Sequence, residues 1–296
     1  MISTFVLIIG AMKSGTTTLY DYLTKHPQIA GVRYKEPSFF AFEEKWALSF
    51  DWYESQFDYD PNRHLYALDA STDYSKYPFC KDVVERLKAS APRRFKLIYI
   101  MRHPLRRIES HAWHAAHTRC EIGQYPSPRP SHSFDAGISP VSLAITRYAY
   151  QIDRFSEFYD KGELLLLTLE QLARQPNAVL EKVCKFLEID PLINTETSLK
   201  SNTAESRSSP SSTWRSYPLL QKLQGGSALQ RVAKIVVPKA IRSQIYRVVR
   251  TSAPPEGRFR LNDEEAQNTI AALVPDLRRL RDRYRVDVEK EWGITL

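Results

Sequence analysis

Lys13, Ser14, Gly15, Thr16, Thr17 and Thr18 form one unbroken run of a cation, a glycine and hydroxyl donors, set between the apolar segment Phe5–Ile9, closed by Gly10, and the helix-spaced Leu19, Tyr22 and Leu23. A buried strand that enters such a turn and leaves it as a helix aims backbone N–H groups and the positive end of the helix dipole at one point, where an anion would sit. Lys13 adds a mobile full charge, and the four hydroxyls add donors. The spacing departs from the triphosphate loop G-x-x-x-x-G-K-[ST], because here the lysine precedes the second glycine by two residues. Phosphate-type anion binding is therefore the first chemistry to expect.

Two further groupings could act with this turn. Arg102 follows the apolar run Phe95–Met101, and Arg107 and Ser110 stand three apart in the helical pattern opened by Pro104, so they share a helix face. A guanidinium at a strand end can grip a phosphate through two hydrogen bonds. Glu36 precedes Pro37, Ser38 and the pair Phe39–Phe40. A carboxylate so placed can serve as a general base if partial burial raises its basicity and an acceptor hydroxyl lies within reach; the alternative is a surface pair with Lys35 or Arg33. His103, His111, His114 and His117 crowd one helical segment, and His111 or His114 is the rival base. No carboxylate or cysteine shell accompanies them, so no metal site is expected.

Gly10-x-x-Lys13-Ser14-Gly15-Thr16-Thr17 resembles the 5′-phosphosulfate loop of the sulfotransferases that use 3′-phosphoadenosine 5′-phosphosulfate (PAPS), and Arg102-x-Pro104-x-x-Arg107-x-x-Ser110 resembles their 3′-phosphate motif. The resemblance extends from Phe5 to about Leu187 and implies the following roles. Lys13, Ser14, Gly15, Thr16, Thr17 and Thr18 would hold the 5′ side of PAPS, Arg102 and Ser110 the 3′-phosphate, with Arg107 a weaker candidate, and Arg207 would belong to a loop closing over the nucleotide. Glu36 ahead of Phe39–Phe40 is similar to the general base of the glycan-directed members, and Lys13 would stabilise the departing 5′-phosphate. Arg147-Tyr148, with Gln151 and Phe155, is similar to the helix flanking the cofactor and acceptor cleft, and Leu273 through Trp292 to the family's closing helix. One departure stands out. Glycan-directed members carry Glu-Lys-Ser/Thr where this chain has Asp69-Ala70-Ser71, so that lysine's role is missing or supplied elsewhere. The implied activity is transfer of a sulfuryl group from PAPS, without a metal, to a hydroxyl or amine of a small-molecule, lipid-like or glycan acceptor. A nucleotide kinase of related fold, or a non-enzymatic protein that binds polyanions or membranes, stays open as an alternative.

The elements that must position these groups alternate along the first half of the chain. Strands at Phe5–Ile9, Leu65–Leu68 and Phe95–Met101 are separated by helical patterns at Lys81–Ala89 and elsewhere, and Leu164–Leu167 is a further buried strand. That alternation predicts an α/β fold with a central parallel sheet flanked by helices and ligands at the strands' carboxyl ends, and the resemblance implies that it is P-loop-like and three-layered. Trp46–Phe57, Ser142–Tyr159 and Leu169–Leu187 read as helices, Cys120–Pro140 as a long Pro- and Ser-rich loop, and Asn202–Ser212 as a polar loop. The 296 residues are expected to form a single domain, with 221–250 a basic amphipathic insertion that faces either the acceptor or a membrane surface.

Lys and Arg exceed Asp and Glu, 42 against 34, which suits a polyanionic ligand. No zinc-finger or aromatic RNA-binding signature accompanies the excess, so a nucleic-acid partner is not expected. Neither a secretory leader nor an apolar run long enough to span a bilayer is evident, and Cys80, Cys120 and Cys184 have no metal-ligand spacing. A cytoplasmic protein with reduced thiols is the expectation.

Overall fold

Five consecutive large apolar residues with no polar alternation have two faces to bury, which only the interior of a sheet provides. Phe5–Ile9 accordingly lie within β1 (Thr4–Gly10), buried along its whole length and central in a five-stranded sheet. The computed structural model describes residues 1–118, 120–122, 125–126, 138–191 and 260–296. These divide into two compact units, one comprising Met1–Ile108, Pro140–Ser201 and Leu261–Leu296, the other Glu109–Ser139 and Asn202–Arg260.

In chain order, β1 leads through a tight turn into α1 (Thr16–Leu23), then β2 (Ile29–Gly31), α2 (Glu43–Trp46), α3 (Ser49–Glu54), β3 (Tyr66–Asp69), a 3-10 turn at Thr72–Ser75, α4 (Val83–Ala89) and β4 (Arg94–Met101). There follow α5 (Pro104–Thr118), β5 (Cys120–Ile122), β6 (Tyr125–Pro126), α6 (Pro140–Thr146), α7 (Tyr148–Asp153), α8 (Ser156–Asp160), β7 (Leu164–Thr168), α9 (Leu169–Arg174) and α10 (Pro176–Leu187). After residue 260 come α11 (Asp263–Tyr284) and α12 (Val288–Trp292).

The sheet order is β2-β3-β1-β4-β7, with every pairing parallel. All carboxyl ends therefore lie on one edge, and the segments after them carry Lys13 (β1), Glu36 (β2), Asp69–Lys76 (β3), Arg102 (β4) and Glu170 (β7). The chain leaves β1 toward β3 on one side and β4 on the other, so its carboxyl end is the topological switch point at which open parallel sheets bind ligands. This is the expected P-loop-like α/β architecture.

Three helical expectations are modified by local breaks. Residues 46–57 contain the end of α2 and α3, separated near Leu48; 142–159 form three short helices; and α9 gives way to α10 at Gln175, ahead of Pro176, whose ring is tolerated in a first helical turn. Within the second unit, where Cys120–Pro140 reads as a loop, β5 and β6 pair antiparallel. In that unit Glu109 pairs with Arg260 at 2.5 Å. Cys80 and Cys184 are buried free thiols, and burial pushes the Cys80 thiol up to about 12. Among the described residues, no helix is long and apolar enough to cross a membrane, and none of the His, Cys, Asp and Glu side chains cluster as a metal site would require.

The tail returns to the sheet. Asp276 of α11 accepts hydrogen bonds from the Ala149 and Tyr150 N–H groups, 3.1 and 2.9 Å, and so satisfies first-turn donors of α7 that have no partner in their own helix. Asp276→Ala should lower the unfolding free energy by ~1–2 kcal/mol, the effect of losing a helix cap. Asp276→Asn, which keeps an acceptor, should lose less; equal denaturant midpoints for wild type and the alanine variant would refute the capping role.

Candidate active site

The turn after β1 has a shape few sequences tolerate. Lys13 takes a positive φ of 70°, and Gly15 takes φ 89° as the residue that caps α1. A Cβ on Gly15 would meet Leu169 Cδ1 at 2.6 Å, so both the backbone angle and the packing of β7's exit demand glycine there. Gly10 is excluded from substitution by space, since a Cβ would lie 2.0 Å from Ser75 Oγ. Leu19 N–H closes the first helical bond onto the Gly15 carbonyl, which leaves the N–H groups of Thr16, Thr17 and Thr18 without acceptors inside α1. No acidic side chain lies in that first turn and no side chain caps it. Ser14 Oγ is fully buried, interacts with the Tyr148 hydroxyl and, among the described residues, makes no hydrogen bond of normal geometry.

The two arginines of the second motif do different work. Arg102 is half-buried at the end of β4, with Nη1 3.4 Å from the Lys13 carbonyl oxygen, so the two basic turns meet. Its backbone is clamped by Tyr148, whose hydroxyl donates to the Arg102 carbonyl at 2.6 Å and accepts from its N–H at 3.4 Å. Burial pushes the Tyr148 phenol up to about 12, so it remains a donor at neutral pH. One residue on, His103 N–H donates to Glu170 (3.0 Å), and the second oxygen of Glu170 accepts from Trp292 Nε1 (3.1 Å). Arg107, by contrast, is completely buried and committed to its own chain. It donates to Thr146 Oγ1 (2.9 Å), to Ser142 at both the carbonyl (2.7 Å) and Oγ (2.8 Å), and to the Met12 carbonyl (3.4 Å). The weaker phosphate candidate is thus a brace for the Lys13 turn, and burial lowers its pKa from the ordinary arginine value. Gln151 is likewise committed, exchanging hydrogen bonds with the Tyr77 backbone.

Glu36 is partly exposed in the segment after β2, on the same sheet edge. Behind it, Asp69 is fully buried and accepts from Ser71 Oγ (2.7 Å), Tyr53 (2.9 Å) and Tyr74 (2.6 Å). Burial nevertheless outweighs these three donors and raises the Asp69 carboxyl to about 6. Ala70, where the glycan-directed pattern has lysine, is buried. Ser110 and His111 belong to the second unit, in α5, where His111 has no solvent exposure and Ser110 is partly exposed. Arg207 and 221–250 lie outside the described residues.

Residues 3–216 match the sulfotransferase domain family. That span is well over half of the chain. The chain belongs to this family.

Among the sulfotransferase relatives, the human bifunctional heparan sulfate N-deacetylase/N-sulfotransferase 2 is 27% identical over 209 residues, 64% of this chain and 22% of that protein. Human heparan sulfate glucosamine 3-O-sulfotransferase 6 is 27% identical over 229 residues, 75% of this chain and 59% of that protein. The chain thus matches about a fifth of the length of one relative and somewhat over half of the other. A solved sulfotransferase from Alicyclobacillus acidocaldarius superposes with a TM-score of 0.52 at 23% identity, over 67% of this chain and 86% of that one, and shares its fold. For this sulfotransferase-family chain, a phosphorylated donor suits the turn, because an anion would satisfy the Ser14 hydroxyl, which has no hydrogen bond of normal geometry among the described residues, and the first N–H groups of α1.

Sequence reasoning finds Lys13, Arg102 and Glu36 because each follows a strand or a motif. It does not find the supports Ser142 and Thr146, whose only signal is small hydroxyl residues four apart on one helix. Arg107→Lys cannot reproduce the fork of donors, so it should lower the melting temperature by several degrees, whereas Arg102→Ala should leave it within about a degree or two. Equal losses would show that the two arginines are not divided between brace and site.

Asp69 sets a pH dependence of stability. Its carboxyl binds a proton in the folded protein up to about pH 6, while the unfolded chain releases it near 4. The group therefore favours the fold fully below pH 4, and that contribution is lost as pH rises through about 6. Relative to Asp69→Asn, which does not titrate, wild-type stability should fall between pH 4 and pH 7 in chemical denaturation. Parallel curves would contradict a raised carboxyl.

Proposed function

We propose that this chain transfers a sulfuryl group from PAPS to the hydroxyl or amine of an acceptor. The observation that carries the reading is the donor-lined turn at the carboxyl end of β1, whose Ser14 hydroxyl makes no hydrogen bond of normal geometry among the described residues, whose first α1 N–H groups have no acceptors in their own helix, and whose Lys13 carbonyl lies beside Arg102. PAPS supplies an activated sulfuryl group on a nucleotide 5′-phosphate. Lys13, Ser14 and the N–H groups around Gly15, Thr16, Thr17 and Thr18 bind that phosphate and stabilise the charge it gains as its bond to sulfur breaks. Arg102 holds the 3′-phosphate, and Ser110 shares that role on the strength of the motif.

Glu36 accepts the acceptor's proton as the acceptor oxygen or nitrogen bonds to sulfur. Its partial exposure favours it over His111, which is closed to solvent; His114, the other histidine candidate, is partly exposed, and Glu36 is preferred to it for its place after β2 ahead of Phe39–Phe40. Rate enhancement then comes from positioning and from preorganised charge, without metal assistance. The acceptor belongs to the small-molecule, lipid-like or glycan classes. Glycans are supported by relatives whose names specify heparan sulfate, and the lysine replaced by Ala70 argues for an acceptor handled differently from theirs. Arg207 as a nucleotide-closing residue, 221–250 as an acceptor-side or membrane-facing segment, and a cytoplasmic location belong to the same reading.

Titration calorimetry should find 3′-phosphoadenosine 5′-phosphate (PAP) bound far more tightly than ATP; equal affinity would refute the 3′-phosphate assignment. Incubation with labelled PAPS and a panel of hydroxyl and amine acceptors identifies the substrate by its added sulfuryl mass. Lys13→Ala should reduce kcat by ~10²–10³-fold, the range for removing one preorganised stabiliser, with a much smaller change in PAP affinity. Arg102→Ala should chiefly raise KM for PAPS. Unchanged turnover in Lys13→Ala would remove that residue from the mechanism.

A further inference from the structure

Glu36 sits in a turn that its own residues do not favour. Both Glu36 (φ 57°) and Ser38 (φ 52°) occupy the left-handed region, on either side of Pro37. For side chains other than glycine this region is unfavourable, so the surroundings must impose the shape. Phe39 and Phe40 anchor one end, fully buried, with Phe39 stacked on Tyr53 at 4.6 Å between ring centroids. At Ser38 the hold is polar. Its N–H donates to Ser71 Oγ at 3.0 Å, and its hydroxyl donates to Asp73 Oδ2 at 2.8 Å. The other oxygen of Asp73 receives Lys76 Nζ at 2.6 Å, and Ser38, Asp73 and Lys76 are all nearly closed to solvent, at 5%, 3% and 2% exposure.

A buried ion pair is a poor source of net stability, because desolvation offsets most of its attraction. Its better-attested use is to specify one arrangement. Here Lys76 holds one oxygen of Asp73, the other oxygen faces the Glu36 turn, and the segment carrying both packs at the end of β1, where Ser75 abuts Gly10. We propose that Asp73 is a positioning residue: held by Lys76, it fixes Ser38 and thereby the backbone from which Glu36 reaches the acceptor. The proposal rests on the reading of Glu36 as general base. It also gives the segment after β3, which lacks the lysine of the glycan-directed members, a catalytic task of its own.

Ser38→Ala is the mildest test, since it removes one hydroxyl and leaves the ion pair intact. Asp73→Asn with Lys76→Met removes the pair without stranding a charge. In both variants amide hydrogen exchange over residues 36–41 should rise ~10-fold or more, while exchange over 14–19 and the PAP dissociation constant stay within about twofold of wild type. With PAPS and a desulfated heparan-type oligosaccharide as the acceptor probe, kcat should fall ~10–100-fold with little change in KM for PAPS, the scale of loss when a reacting group is misplaced by about an ångström. In a Glu36→Gln background, Ser38→Ala should have no further effect on kcat, because both act through one carboxylate. Unchanged exchange in Ser38→Ala overturns the proposal whatever the acceptor. So does wild-type kcat in Ser38→Ala alongside an inactive Glu36→Gln. Full activity of Glu36→Gln instead removes the base assignment, and the exchange data then decide separately whether Asp73 holds the turn.

Discussion

The turn after β1 sets the first-turn donors of α1 beside a lysine whose own backbone angle, φ 70°, its side chain does not favour. The fold imposes that shape from outside, chiefly through the buried guanidinium of Arg107. From one planar group it reaches the Met12 carbonyl in the turn and the Ser142 and Thr146 oxygens of α6. A lysine would offer a point charge in place of a fork, and an apolar residue would strand several buried acceptors. The glycines complete the constraint by contact, Gly15 against Leu169 and Gly10 against Ser75. The brace fixes the turn without drawing on the Ser14 hydroxyl or the first-turn N–H groups of α1.

The neighbouring Arg102 turn is secured on the same logic by residues remote in sequence. Tyr148 grips the Arg102 backbone, and Asp276 caps the helix that presents Tyr148. Glu170 ties the His103 N–H to Trp292 near the end of the chain. These supports act through hydrogen bonds to the backbone of the turn. Asp276 of α11 and Trp292 of α12 thus act as scaffold for the turn after β4.

Glu36 has a third kind of support, a polar network laid over an aromatic floor. Phe5, Phe39, Phe40, Phe50 and Tyr53 contact one another as stacked and edge-on pairs, and Tyr53 also donates to Asp69. Burying each large aromatic contributes roughly 1.5–3 kcal/mol, so the floor provides stability, while Asp69, Ser71, Asp73 and Lys76 above it fix geometry. Burial raises the Asp69 carboxyl to about 6 despite its three donors, a measure of how dry that layer is.

The local order of strand, turn and helix was written in the sequence: β1 with Lys13–Thr18, β4 with Arg102 and Pro104, the parallel sheet, and Glu36 ahead of two phenylalanines. Such features depend on neighbours within a few residues, on hydrophobic runs and on the fixed requirements of glycine and proline. What Arg107 does was decided only in three dimensions, because its partners lie in α6 and in the turn after β1, and no pattern within α5 marks them. The same holds for Tyr148, Glu170 and the Asp73–Lys76 pair, whose roles exist only once parallel pairing gathers the strands' carboxyl ends on one edge. The breaks among α6–α8 and between α9 and α10 were also tertiary decisions, since local helix propensity is weak beside the packing of a whole face. Sequence set which groups could do chemistry; long-range hydrogen bonding and burial decided which were left available for it.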